Sequence, residues 1–177
     1  MDNIEKCVSE LKTFSMLHQQ YLICVLEGII EYYKDSLLGL TIFGSYARGE
    51  NRKNSDLDLL IILKKAPGFS ERIKEFVNNI ELAHESLGQQ LYEEEDILCE
   101  LSPYILSKEE ALKFQPVYFD LTEHNKILFD PEGIISRIYG AEDFIPTEEY
   151  ESEDAETAIK DAEFVLKTVE EAFKKGI

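Results

Sequence analysis

Residues 57–63 read Leu-Asp-Leu-Leu-Ile-Ile-Leu, aliphatic throughout except at Asp58. A run of that length is too short to span a bilayer and has the pattern of a central strand covered on both faces. Such a strand needs a layer on each side, and the flanking sequence supplies helices. Apolar residues recur at helical spacing from about Asn3 to Tyr33, through Ile4, Cys7, Leu11, Phe14, Leu22, Val25, Leu26 and Ile29, which predicts one long helix or two. Leu37–Phe43 reads as a strand stopped by Gly44-Ser45. Beyond the Pro67-Gly68 break, helical spacing returns over Phe69–Leu91 and a third strand is expected over Asp96–Leu106. Ser107-Lys108-Glu109-Glu110 has the form of a capping box. A short helix over Pro116–Glu123, an edge strand over Lys126–Phe129 and a helix from Asp130-Pro131 to about Tyr139 complete an α/β (α+β) domain, a small sheet flanked by helices.

The chain has 177 residues, 44% of them hydrophobic, enough for one substantial core and too few for two full domains. The expected organisation is an N-terminal helical extension packed on the core (1–36), a central domain (37–140) and an acidic linker with a C-terminal amphipathic helix (141–177). Thirty-six acidic against eighteen basic residues leave a formal charge of -18, so most of the surface repels phosphate backbones and broad nucleic-acid binding is excluded. A magnesium nucleotide is not excluded, because it brings its own cation to any carboxylate cluster. Cys7, Cys24 and Cys99 are odd in number and lack metal-ligand pairing, which fits reduced thiols. The start of the sequence has no secretory pattern and no stretch is apolar for long enough to cross a membrane, so a cytoplasmic location is expected.

Asp56 and Asp58 stand at i and i+2 at the start of the aliphatic strand, so both carboxylates project from one face. Like charges that close repel unless a cation sits between them, and carboxylate oxygens suit Mg²⁺. Ser55 can steady the turn ahead of them. Upstream, Gly44-Ser45 lies at a strand-to-helix turn, where free amides and the Ser45 hydroxyl can hold phosphate, with Arg48 or Lys53 adding charge. Glu100 is the one charged residue inside an otherwise apolar run, Ile97-Leu98-Cys99-Glu100-Leu101, and a buried acid implies a partner, a proton or a metal. In that position it is a candidate third metal ligand or the general base for an acceptor hydroxyl.

Phe43-Gly44-Ser45-Tyr46-Ala47-Arg48-Gly49-Glu50 and Asn54-Ser55-Asp56-Leu57-Asp58-Leu59-Leu60-Ile61, with ten residues between Gly44-Ser45 and Asp56, resemble the polymerase-beta-like nucleotidyltransferase superfamily, in particular the minimal nucleotidyltransferases of prokaryotes. The resemblance covers about residues 37–106 and extends through Phe119-Asp120-Leu121 to about residue 139. It implies a small mixed sheet and a two-metal transfer of a nucleoside monophosphate, AMP from ATP, to a protein or small-molecule acceptor. In that scheme Asp56, Asp58 and Glu100 hold two Mg²⁺ ions, while Gly44, Ser45, Arg48 and Ser55 bind the nucleotide. Glu100 departs from the Asp often found at the third position. The resemblance also implies a role as the antitoxin of a toxin–antitoxin pair with a helical HEPN-type partner. The alternative is a non-catalytic module of the same fold that binds a nucleotide or a partner.

His18, His84 and His124 have no ligand spacing and read as ordinary surface or core residues. Tyr46, beside the turn, reads as core or as a platform for a base. Glu93-Glu94-Glu95-Asp96 reads as a solvated loop.

Overall fold

The computed structural model describes residues 2–140; the linker and last helix expected over 141–177 lie outside the described residues. The long N-terminal periodicity divides into two helices, α1 (Asp2–Ser9) and α2 (Met16–Tyr33). Ser15 sets the division. Its extended backbone starts α2, and its hydroxyl accepts the His18 amide at 3.0 Å, meeting one of the orphan donors of the first turn.

A turn of 3₁₀ helix, Lys34–Ser36, leads into β1 (Leu37–Ile42), which is buried at every position. The short helix α3 (Gly44–Arg48) follows and ends at Gly49 in the left-handed region. β2 (Leu57–Leu63) occupies the aliphatic run. One continuous helical rod comprises α4 (Phe69–Phe76), a π-helical turn over Val77–Glu81 and α5 (Leu82–Glu95). β3 (Leu101–Ser107) comes next, followed by α6 (Lys108–Ala111), α7 (Tyr118–Glu123), β4 (Lys126–Phe129) and α8 (Ile134–Gly140).

The strands form one sheet in the order β3-β2-β1-β4. β2 runs parallel to β3 and antiparallel to β1, which pairs antiparallel with β4. The α+β architecture with a small mixed sheet is therefore the one expected. Side chains alternate across β2: Leu57, Leu59, Ile61 and Leu63 enter the core beneath α2 and α5, while Leu60 and Ile62 enter a second core with Ile134, Ile135 and Ile138 of α8. Asp58 has the parity of the second face. Among the described residues, no helix is long and apolar enough to cross a membrane.

The capping box is present: the Ser107 hydroxyl accepts the Glu110 amide and the Glu110 carboxylate accepts the Ser107 amide. Glu110 has a second task. Its two oxygens accept from Arg72 at 2.8 and 3.1 Å, while the same buried guanidinium donates to the carbonyls of Pro67 and Ile105. This fork ties α4 to the β3–α6 corner. The bonds from Arg72, then from the Ser107 amide, hold the Glu110 carboxyl down at about 2. A depressed carboxylate contributes stability above its unfolded value, about 4.3, and loses it as pH falls toward 2. Glu110→Gln is expected to cost about 1–3 kcal/mol at neutral pH by leaving Arg72 without its charged acceptor. The difference in melting temperature from the parent should shrink between pH 5 and 2 in a series of thermal melts.

Candidate active site

The site forms where β1 stops. The Phe43 amide donates to the Asp58 carbonyl at 3.1 Å, carrying the β1–β2 ladder one residue past the end of β1. Gly44 then turns sharply with φ +66°. A β-carbon at Gly44 would overlap the Asp58 carboxylate, with Asp58 Cγ only 2.9 Å away. Glycine is needed here twice, for the left-handed backbone and for the carboxylate seated against it. Ser45 is half-buried in the first turn of α3, whose amides lack intrahelical acceptors. So short a helix adds little dipole, and those amides are the main attraction for an anion.

Asp58 is half-buried and lies opposite Ser102 in the parallel β2–β3 register. Burial holds its carboxyl above the usual range; the Ser102 hydroxyl opposes this by donating to it, and the charges of Asp56 and Asp120 push it up further. Asp56 is exposed in the last loop residue before β2. The two aspartates thus differ in setting, one at the rim and one at the floor.

The other expected residues fall differently. Arg48 forms ion pairs with Asp120 at 2.7 Å and Glu50 at 3.1 Å, which places a cation and a further carboxylate beside Asp58. The Ser55 hydroxyl accepts the Arg52 amide at 2.8 Å, so it steadies the loop. Lys53 donates to the Glu95 carbonyl at the end of α5.

Glu100 requires a correction. The expected strand over 96–106 begins only at Leu101, and Glu100 is exposed just ahead of it rather than buried within it. Its carbonyl accepts the Leu57 amide at 2.8 Å, while its charge acts on Glu81. Among the described residues, no three His, Cys, Asp or Glu side chains converge as a metal set. The third acid whose charge reaches Asp58 is Asp120, and the hydroxyl that bonds it is Ser102. Both escaped the sequence reading. Ser102 needs the strand register, and Asp120 needs the folding of α7 over the sheet.

Tyr46 takes the core reading. It is 1% exposed, its hydroxyl lies 3.0 Å from His18 Nε2, and it donates to Cys99 Sγ at 3.3 Å. Burial pushes the Cys99 thiol up to about 11, so it stays protonated and unreactive. Beside this network the buried Asn51 donates to the Lys12 carbonyl at 3.0 Å, and the Lys12 ammonium donates back to the Asn51 carbonyl at 2.9 Å. The loop between α3 and β2 is thereby fastened to the α1–α2 turn.

A divalent cation fits the two aspartates. Asp58 is a hard oxygen donor whose ionised form is disfavoured by burial and by neighbouring carboxylates, and a cation would relieve both. Asp56 and Asp58 would hold it. Two protein carboxylates are what magnesium takes when phosphate oxygens and water fill its other positions.

The nucleotidyltransferase domain family matches residues 25–128, more than half of the chain. A candidate protein adenylyltransferase of Methanocaldococcus jannaschii is 46% identical over 41 residues, spanning 23% of this chain and 41% of that protein. A second from the same organism is 31% identical over 77 residues, spanning 42% of this chain and 79% of that protein. The crystal structure of a spectinomycin adenyltransferase from Enterococcus faecialis with ATP and spectinomycin shares the fold, with a TM-score of 0.51 and 15% identity over 81% of this chain and 64% of that one. With the matched region spanning β1 through most of β4, this chain belongs to the nucleotidyltransferase domain family.

Proposed function

We propose that the protein is a magnesium-dependent enzyme that transfers AMP from ATP to a hydroxyl group of a protein acceptor. One observation carries the reading: the Gly44 turn is packed directly on the Asp58 carboxylate, so amides suited to phosphate and an acid suited to magnesium share one corner. The first-turn amides and Ser45 hold the triphosphate, and Asp56 and Asp58 fix its position from the other side. Arg48 exchanges its carboxylate partners for phosphate oxygens when the nucleotide arrives. Magnesium, when bound, supplies neutralisation of the triphosphate and polarisation of the phosphorus under attack.

The names of the two Methanocaldococcus jannaschii relatives favour AMP and a protein acceptor, and the charge of -18 disfavours a nucleic-acid acceptor. A helical HEPN-type protein is the first acceptor to try, with this chain as its antitoxin. The purified protein, magnesium and ATP labelled on the α-phosphate are incubated with such a protein and, separately, with cell extract. Label on protein, with pyrophosphate released and both lost on chelation, is the expected outcome. Tight nucleotide binding with no transfer to any acceptor would favour the non-catalytic module. Label on RNA would overturn the protein acceptor.

A further inference from the structure

Three large apolar side chains that stay exposed, Leu82 at 52%, Tyr92 at 55% and Leu98 at 45%, line one groove. One wall is the face of α5 and the other is residues 98–101; Tyr21 of α2 also lines the groove, which has a volume of about 430 Å³. Exposed apolar side chains gathered in one concavity mark a surface made to be covered. Glu81, Glu85 and Glu100 also line it, with no basic residue among the described lining. Burial, then the charge of Glu100, holds the Glu81 carboxyl above its ordinary range.

We propose that this groove docks an extended segment of a partner protein that alternates basic with apolar residues. Its cationic heads meet Glu81, Glu85 and Glu100, and its apolar side chains cover Leu82, Tyr92 and Leu98. Charge complementarity selects against the other occupants. Nucleic acid is repelled by the carboxylates, and a second copy of this chain carries the same charge of -18. Shape selects against a compact amine. From Leu82 to Tyr92 the α5 wall runs for about 15 Å, the span of about five extended residues. Because the Glu100 carbonyl accepts the Leu57 amide, the docked segment lies beside the strand that carries Asp58. Docking needs neither nucleotide nor metal, so it stands apart from nucleotidyl transfer.

The test is fluorescence anisotropy of a fluorescein-labelled peptide, Leu-Lys-Tyr-Lys-Leu-Lys, titrated with the full chain at physiological salt. Saturable binding is expected. Glu85→Lys and Tyr92→Ser, both at exposed positions that leave the fold intact, should each weaken it about tenfold. Glu71→Lys on α4 makes the same charge change outside the groove and should alter affinity by less than about twofold. Equal weakening by Glu71→Lys and Glu85→Lys would reduce the effect to general acidity and overturn the proposal. So would equal binding of a peptide with serine at its leucine and tyrosine positions, displacement by spermidine at matched concentration, or no saturable binding.

Discussion

Asp58→Asn is expected to lower nucleotidyl transfer on the order of 1,000-fold while the metal-free protein melts no earlier than the parent at neutral pH. The two halves of that outcome have one cause. Burial, and then the nearby charges of Asp56 and Asp120, raise the Asp58 carboxyl, against the hydrogen bond from Ser102. A raised carboxyl contributes stability that is fully present below its unfolded value, about 3.9, and is lost as pH rises through its folded one. At neutral pH the parent carries that penalty. Asparagine keeps the shape and can still accept from Ser102, without the charge. Thermal melts across the acid range, paired with pyrophosphate release, read both effects, and the variant's advantage in melting temperature should vanish below pH 4. Undiminished transfer would remove Asp58 from the site, and a clear loss of stability would recast it as a structural residue.

Gly44→Ala should cost about 2–4 kcal/mol and reduce transfer with it. About 1–2 kcal/mol comes from forcing alanine into the left-handed region, and the rest from the overlap with Asp58. Gly49→Ala separates the terms, because Gly49 shares the left-handed backbone with φ +70° while a β-carbon there meets nothing within 4 Å. That variant should lose only the backbone part and keep most activity. Chemical denaturation of the two side by side gives the difference, and equal losses would mean that the contact with Asp58 has no energetic consequence.

The parts of this site that could be read from sequence are those fixed by near neighbours. Gly44-Ser45 follow the end of β1 and Asp56-Leu57-Asp58 lead into β2, and these adjacent antiparallel strands are joined only by α3 and a short loop, so their spacing already implies their meeting. The β2 run and the Ser107–Glu110 box are likewise local patterns. Glu100 falls just ahead of the strand, not within it, because the start of a strand depends on its partner. β3 begins only where Leu57 offers pairing to Leu101, and just before it the Leu98 amide bonds the Lys53 carbonyl in a loop. Ser102 and Asp120 depend on register and on the packing of α7, which no local spacing encodes. His18 reads as unremarkable in sequence yet is fully buried against Tyr46, since burial comes from the docking of α2.

The reciprocal bonds between Lys12 and Asn51, and the contact of His18 with Tyr46, bear on how such a protein can change over evolutionary time. The two N-terminal helices and the turn between them begin ahead of the family's matched region, yet they supply partners to buried polar atoms of α3 and of the loop after it. Recombination that exchanged them as a cassette would take the Lys12 carbonyl from Asn51 and leave the Tyr46 hydroxyl with Cys99 as its partner. Lineages carrying this pair of helices must therefore inherit them together with the loop they brace, as one heritable unit.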